Sequence, residues 1–190
     1  MKRALSRIFV PRLAWFGVTA LMGGGCDLQT KAWAEGALAS LPGRSMMVAS
    51  PWLEFSLAYN RGTAFSVVPD LGEGARLVFG VAALAVVVAL GVMVLRWRSG
   101  RGEAVALGAI AGGAIGNGVD RALRLAPGGG TGVIDFVKIN YPWGGSWPIF
   151  NVADVLVGVG AGLLLLGRFR SSRAPEGAGE AAASDAGAGG

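Results

Sequence analysis

Three carboxylates in the second half of the chain have the type and setting for bond-breaking chemistry: Asp120 in GNGVDR, Asp135 in GVIDF and Asp154 in FNVAD. Asp120 and Asp154 stand at the ends of strongly apolar runs, where an ionisable side chain is costly and marks a functional position. The rest of the composition removes the usual competitors. The chain has no His, so a Ser-His-Asp triad, a Cys-His pair and a His-ligated metal site are all excluded. Its single Cys, Cys26, gives neither a disulfide framework nor a thiolate cluster. Carboxylates, hydroxyls and the lysines Lys2, Lys31 and Lys138 remain. Two carboxylates facing each other in a partly desolvated site do not both ionise easily. One then keeps a proton and serves as general acid, while the other stays charged and serves as general base.

The elements that position such groups belong to a membrane protein. Of the 190 residues, 53% are hydrophobic and 15% charged, and the mean hydropathy is +0.53. This is not the composition of a soluble globule. A net charge of +5 raises the possibility of nucleic acid, but the basic residues are not interleaved with aromatics along one stripe, so no nucleic-acid partner is expected.

Four apolar stretches are long enough to span a bilayer of about 30 Å. They cover about 13–34, 76–95, 104–121 and 149–167. GGGC at Gly23–Cys26 resembles a lipoprotein cleavage box and the basic start resembles a secretory signal, but Gly23 replaces the usual apolar residue and three further spans follow. Gly108, Gly112 and Gly116 repeat every four residues, a spacing that lets a neighbouring helix approach closely. Between the spans, 36–74 and 124–148 have loop composition, with strand-like alternation over Leu53–Tyr59 and a short strand-like VIDFVKI at 133–139. Asn60 and Gly62 are suited to a turn with positive φ. Trp143 and Trp147 suit an interfacial aromatic belt. The last residues, 171–190, lack the apolar content to fold and are expected to be a disordered tail on the cytoplasmic side.

Several polar residues share helical faces. Asp27, Thr30 and Lys31 are spaced i, i+3 and i+4, either as an ion pair neutralising charge at the membrane boundary or as a scaffold for a site. Asn117, Asp120 and Arg121 fall within one turn, where Asp120 and Arg121 suit a boundary pair. Asn151, Asp154, Gly158 and Gly162 fall on one face of the fourth span, and that face is expected to point into the bundle, away from lipid. Ten of the 17 basic residues lie before the first span, at 96–101 and after the fourth span. The positive-inside rule makes those ends, and both termini, cytoplasmic. Asp27, Asn60, Asp120, Asp135 and Asp154 then share the opposite, extracytoplasmic side.

DLQTK, YNRGTAFS, GGAIGNGVDR, GVIDF and FNVAD, in this order on a four-span chain, resemble the lipoprotein signal peptidases, the type II bacterial signal peptidases. The resemblance covers about Asp27 to Gly167. It implies an α-helical membrane protein with four transmembrane helices and a small extracytoplasmic β-cradle, occupying residues 1–170. It implies a globomycin-sensitive aspartic endopeptidase of the bacterial inner membrane that acts as a monomer without a cofactor. Its partners are the phospholipid bilayer and prolipoproteins, cleaved just before the diacylglyceryl-modified cysteine. It assigns catalysis to Asp135 and Asp154 and a substrate-binding shell to Asn60, Gly62, Asn117, Arg121 and Asn151, with Asp27, Lys31 and Asp120 in support. Relative to the family pattern, the Asp120–Asp135 interval is lengthened by the glycine-rich PGGGTG piece, and Arg61 stands inside the Asn-Gly turn.

Two other readings use the same residues differently. A small transporter or channel would employ the carboxylates as a proton or ion relay. A Ser-Lys protease would need Lys31 or Lys138 beside a serine, and no serine lies within helical reach of Lys31.

Overall fold

The computed structural model describes residues 2–61, 73–96 and 100–171. Gly62, the segment 97–99 and the tail from 172 onward lie outside them, so the expectations placed on Gly62 and on the tail are not addressed. Four helices carry the four apolar stretches: α1 Lys2–Leu38, α2 Glu73–Arg96, α3 Arg101–Leu123 and α4 Val152–Ser171. Between them lies one antiparallel sheet of β1 Ser45–Ala49, β2 Leu53–Asn60 and β3 Val133–Ile139, in the order β1-β2-β3. By length and composition Leu77–Arg96 is the helix apolar enough to cross a membrane among the described residues. Leu77, Val81, Leu84 and Val88 all stand exposed along it.

Helix α3 is the hub, with α1, α2 and α4 each packed against it. Its small residues make this possible. A Cβ on Gly108 would stand 2.7 Å from the Phe16 carbonyl oxygen, and one on Gly112 would stand 3.0 Å from that of Ala20, so the four-residue glycine repeat is the seam for α1. On the other side Gly113 meets the backbone of Ala153, and Gly160 of α4 meets the backbone of Ala106. Phe16, Ala20, Val94, Leu107 and Ala111 form the buried cluster of this half.

Helix α1 runs past the expected end near Ala34 because Ala34 and Leu38 are fully buried beneath the sheet, against Leu57, Ile134 and Phe136. Strand β1 was not legible as alternation in SMMVA, since four of its five residues are exposed and it is an edge strand. Asn60 departs from expectation too. It is the last residue of β2, paired with Val133, and has no positive φ.

Gly116 completes the seam at the end that carries the polar residues. A Cβ there would collide with Asp27 Oδ2, so only glycine lets that carboxylate lie against α3. Gly116→Ala is expected to lower stability in detergent by about 1–3 kcal/mol through overpacking. Gly158→Ala, which meets nothing within 4 Å, should be neutral or raise stability by about 0.5–1 kcal/mol. Equal thermal midpoints for the two variants would refute this account of the seam.

Candidate active site

Asp154 owes its position to the start of α4. Asn151 immediately precedes the helix, and its Oδ1 accepts the Asp154 N–H at 3.1 Å, while Asp154 Oδ2 accepts the Asn151 N–H at 3.1 Å. This is a reciprocal capping box with Asp in the third helical position. It places the carboxylate at the positive end of the helix dipole. The other oxygen, Oδ1, accepts from Asn117 Nδ2 of α3 at 3.2 Å.

Asp135 reaches the same place from the sheet. It lies in the middle of β3 opposite Ala58, and its Oδ2 accepts from Asn60 Nδ2 at 3.1 Å. Its Oδ1 accepts from Asn151 Nδ2 at 2.6 Å. One residue therefore donates to both carboxylates, Asn151 through its amide to Asp135 and through its main chain to Asp154. Burial pushes the Asp135 carboxyl up to about 6; the Asn60 hydrogen bond opposes the rise, and the Asp154 charge adds to it. Asn151 is fully buried, with further bonds to Asn117 Oδ1 at 3.2 Å and to the Ile134 carbonyl at 3.3 Å.

Asp154 itself corrects an expectation. It and Gly158 are exposed, and the face of α4 turned to the bundle carries Ala153 and Gly160 instead. The penalty for a carboxylate directed at lipid applies in the hydrocarbon, whereas the first turn of α4 lies at the end of the helix. An open side there leaves Asp154 reachable, while Asp135 at 6% exposure is almost closed off.

Behind the two carboxylates stands a line of charges alternating in sign. Asp27 and Lys31 are wholly buried, with Asp27 Oδ2 at 2.7 Å from Lys31 Nζ and Asp27 Oδ1 accepting the Ala153 N–H at 2.8 Å. Lys31 Nζ also lies 3.3 Å from Asp120 Oδ2 and donates to Asn117 Oδ1 at 2.8 Å. Asp120 continues to Arg124 at 2.7 Å, and Arg124 to Glu35 at 2.6 Å. Tyr59 donates to Glu35 at 2.6 Å, and burial with the Glu35 carboxylate pushes its hydroxyl up to about 12. Asp120 also accepts the Ile134 N–H at 3.2 Å, which ties β3 to α3 directly.

Asp27 and Lys31 thus form a wholly buried ion pair that is linked through Asn117 to Asp154. Thr30 takes no part, because its hydroxyl bonds the carbonyls of Cys26 and Asp27 on its own helix. Asp120 pairs with Lys31 and Arg124, while the Arg121 guanidinium stands over the Phe79 ring at 5.2 Å. Glu35, Tyr59 and Arg124 were missed in the sequence. The signal was there, since Asp27, Lys31 and Glu35 follow each other at i, i+4 and i+8, and Asp120 and Arg124 at i and i+4. Among the described residues, no group of three or more His, Cys, Asp or Glu side chains is placed to hold a metal ion.

The family model described as signal peptidase (SPase) II matches residues 19–170. The chain belongs to the signal peptidase II family. It is 36% identical over 177 residues to the lipoprotein signal peptidase of Pseudomonas syringae pv. tomato, covering 90% of this chain and 95% of that one. With that of Pseudomonas fluorescens it shares 37% identity over 168 residues, covering 87% and 92%. Two solved bacterial membrane enzymes, both determined by the in meso method, have the same fold. Their TM-scores are 0.65 and 0.63 at 24% and 25% identity, covering 82% and 79% of this chain and 88% and 89% of theirs. A signal peptidase II is a protease, so the ion-relay reading finds no support here.

The Asp135 carboxyl carries a consequence for stability. The folded chain holds this proton up to about pH 6, whereas the unfolded chain releases it near 3.8. Its contribution is therefore fully present below about pH 4 and is lost as pH rises through 6, by up to about 3 kcal/mol. Asp135→Asn should lack that slope in thermal unfolding between about pH 4 and 6. A variant that keeps the full slope would show that another group causes it.

Proposed function

We propose that this chain is a lipoprotein signal peptidase of the aspartic type, which hydrolyses the peptide bond just before the diacylglyceryl-modified cysteine of a prolipoprotein. The single observation that carries the reading is the shared support of Asp135 and Asp154 by Asn151, which brings the two carboxylates to one site.

The two carboxylates have different surroundings and so different work. Asp154, accepting two N–H donors at the start of α4 and open to the outside, is the charged general base. It takes a proton from a water, whose oxygen attacks the scissile carbonyl carbon. Asp135, almost buried and holding its proton to about pH 6, donates a hydrogen bond to the carbonyl oxygen. The tetrahedral intermediate then collapses with transfer of a proton to the leaving amine as the C–N bond breaks. Arg121, placed where the charges of Asp135 and Asp154 both act on it, suits the negative charge developing on that oxygen.

The four helices are read as transmembrane spans and the sheet as an extracytoplasmic cradle. Arg96 ends α2, Arg101 begins α3 and Arg168 lies near the end of α4, all at the end of the bundle away from the carboxylates. The positive-inside rule puts that end, with both termini, in the cytoplasm. The open flank of α4 then faces the outer boundary of the bilayer. Acyl chains on the substrate cysteine remain in the hydrocarbon while the bond reaches Asp154, so lipid binding positions the reacting bond.

Cleavage of diacylglyceryl-modified and unmodified prolipoprotein by the purified chain tests this function. Asp135→Asn and Asp154→Asn should each lower turnover by about 10²- to 10⁴-fold with the fold retained. The unmodified substrate should be processed far more slowly than the modified one. Near-normal cleavage by either variant, or equal processing of the two substrates, would contradict the assignment.

A further inference from the structure

Among the described residues, Lys31 is the largest fully buried side chain, and the chemistry just described does not use it. An ammonium has three protons to give and accepts nothing. Three oxygens surround Nζ: Asp27 Oδ2 at 2.7 Å, Asn117 Oδ1 at 2.8 Å and Asp120 Oδ2 at 3.3 Å. Charge balance accounts for the Asp27 contact, and Asp120 already has Arg124 at 2.7 Å. The contact with Asn117 balances no charge, yet it lies on the path to the site, because Asn117 Nδ2 donates to Asp154 Oδ1 at 3.2 Å.

A carboxamide is two-sided, and a half-turn about its last bond exchanges its donor and its acceptor. With its NH2 toward Asp154 it attracts the carboxylate; with its oxygen there it repels it. A fully buried ammonium admits only the oxygen, and Asn151 Nδ2 at 3.2 Å makes the same demand. We infer that Lys31 is a positioning residue of the peptidase: through Asn117 it fixes which end of the carboxamide meets Asp154, and so holds that carboxylate in its reactive orientation. The inference rests on the catalytic role proposed for Asp154. It assigns Asn117 to positioning as well, and it makes Asp27 the counter-charge that keeps the ammonium in the interior.

Asn117→Asp separates this role from a merely structural one. It keeps an oxygen for Lys31 and for Asn151 and removes only the donor facing Asp154. The charged groups around that position are Asp27 and Lys31 of α1, Asp120 and Arg121 of α3, Asp135 of β3 and Asp154 of α4. When ionised, the new carboxyl opposes Asp154 with like charge; when protonated, it offers an O–H donor again. The expected result is a thermal midpoint at least equal to the parent's and a kcat about 10- to 100-fold lower at about pH 6.5. KM should stay within about two-fold, and the deficit should shrink toward about pH 5.

A second variant, Asp27→Asn with Lys31→Met, removes the pair without changing net charge and leaves Asp120 with Arg124. It should also lose about 10- to 100-fold in kcat, measured well below its own midpoint. Asp154→Asn is assayed alongside on the same lipid-modified substrate. A parent-like kcat in Asn117→Asp at about pH 6.5 would overturn the positioning role of Lys31 and leave the catalytic pair standing. An active Asp154→Asn would instead overturn the reading on which the inference rests.

Discussion

The site depends on one hydrogen-bonding residue, Asn151, placed where a helix begins. As the cap of α4 it exchanges bonds with Asp154, and its side-chain NH2 faces Asp135 on β3 and the Ile134 carbonyl beside it. A carboxylate on a helix and one on a strand approach each other only if both elements are held to the same point. Asn151 supplies that point, and because it is fully buried its bonds do not compete with water. The sheet is brought to it from the other side, where Asp120 accepts the Ile134 N–H and Ala34 and Leu38 lie under Leu57 and Phe136.

Burying so many polar groups at the end of an apolar bundle is costly unless every charge meets its opposite. The alternation Asp27, Lys31, Asp120, Arg124, Glu35 does this, ending on the Tyr59 hydroxyl of the sheet. Removing one member leaves an uncompensated charge, which in such interiors costs about 3–5 kcal/mol. Gly116 is part of the same arrangement, since any side chain there would displace the first carboxylate of the line. The placing of the two carboxylates and the packing of the helices are therefore one problem in this fold. The glycine seam that lets α1 approach α3 is also what carries Asp27 and Lys31 to the back of the site.

The sequence made the helices legible because apolar runs of about 20 residues leave few alternatives, β2 because apolar and polar residues alternate along it, and β3 because VIDFVKI is a short run rich in Val, Ile and Phe. Strand β1 escaped notice because an exposed edge strand imposes no alternation on Ser45–Ala49. Asp135, Asp154 and their asparagines were legible through ordered motifs, but their partners were not. Asn60 looked like a turn residue because local composition cannot show that a strand continues until it pairs with Val133. The face of α4 does not follow from sequence alone, because Asp154 belongs to the helix's first turn, where the cost of a carboxylate deep in hydrocarbon does not apply. Arg124 and Glu35 fell outside the motifs and meet only across 89 positions of sequence.

The central claim is that Asp135 and Asp154 occupy one site and act on each other. It is tested most directly by following the Asp135 carboxyl carbon by NMR as pH is varied, in the parent and in Asp154→Asn. The parent should titrate at about 6, and removing the Asp154 charge, which raises that value, should move the midpoint downward. An unchanged midpoint in Asp154→Asn would mean that the two carboxylates do not feel each other, and would contradict the account.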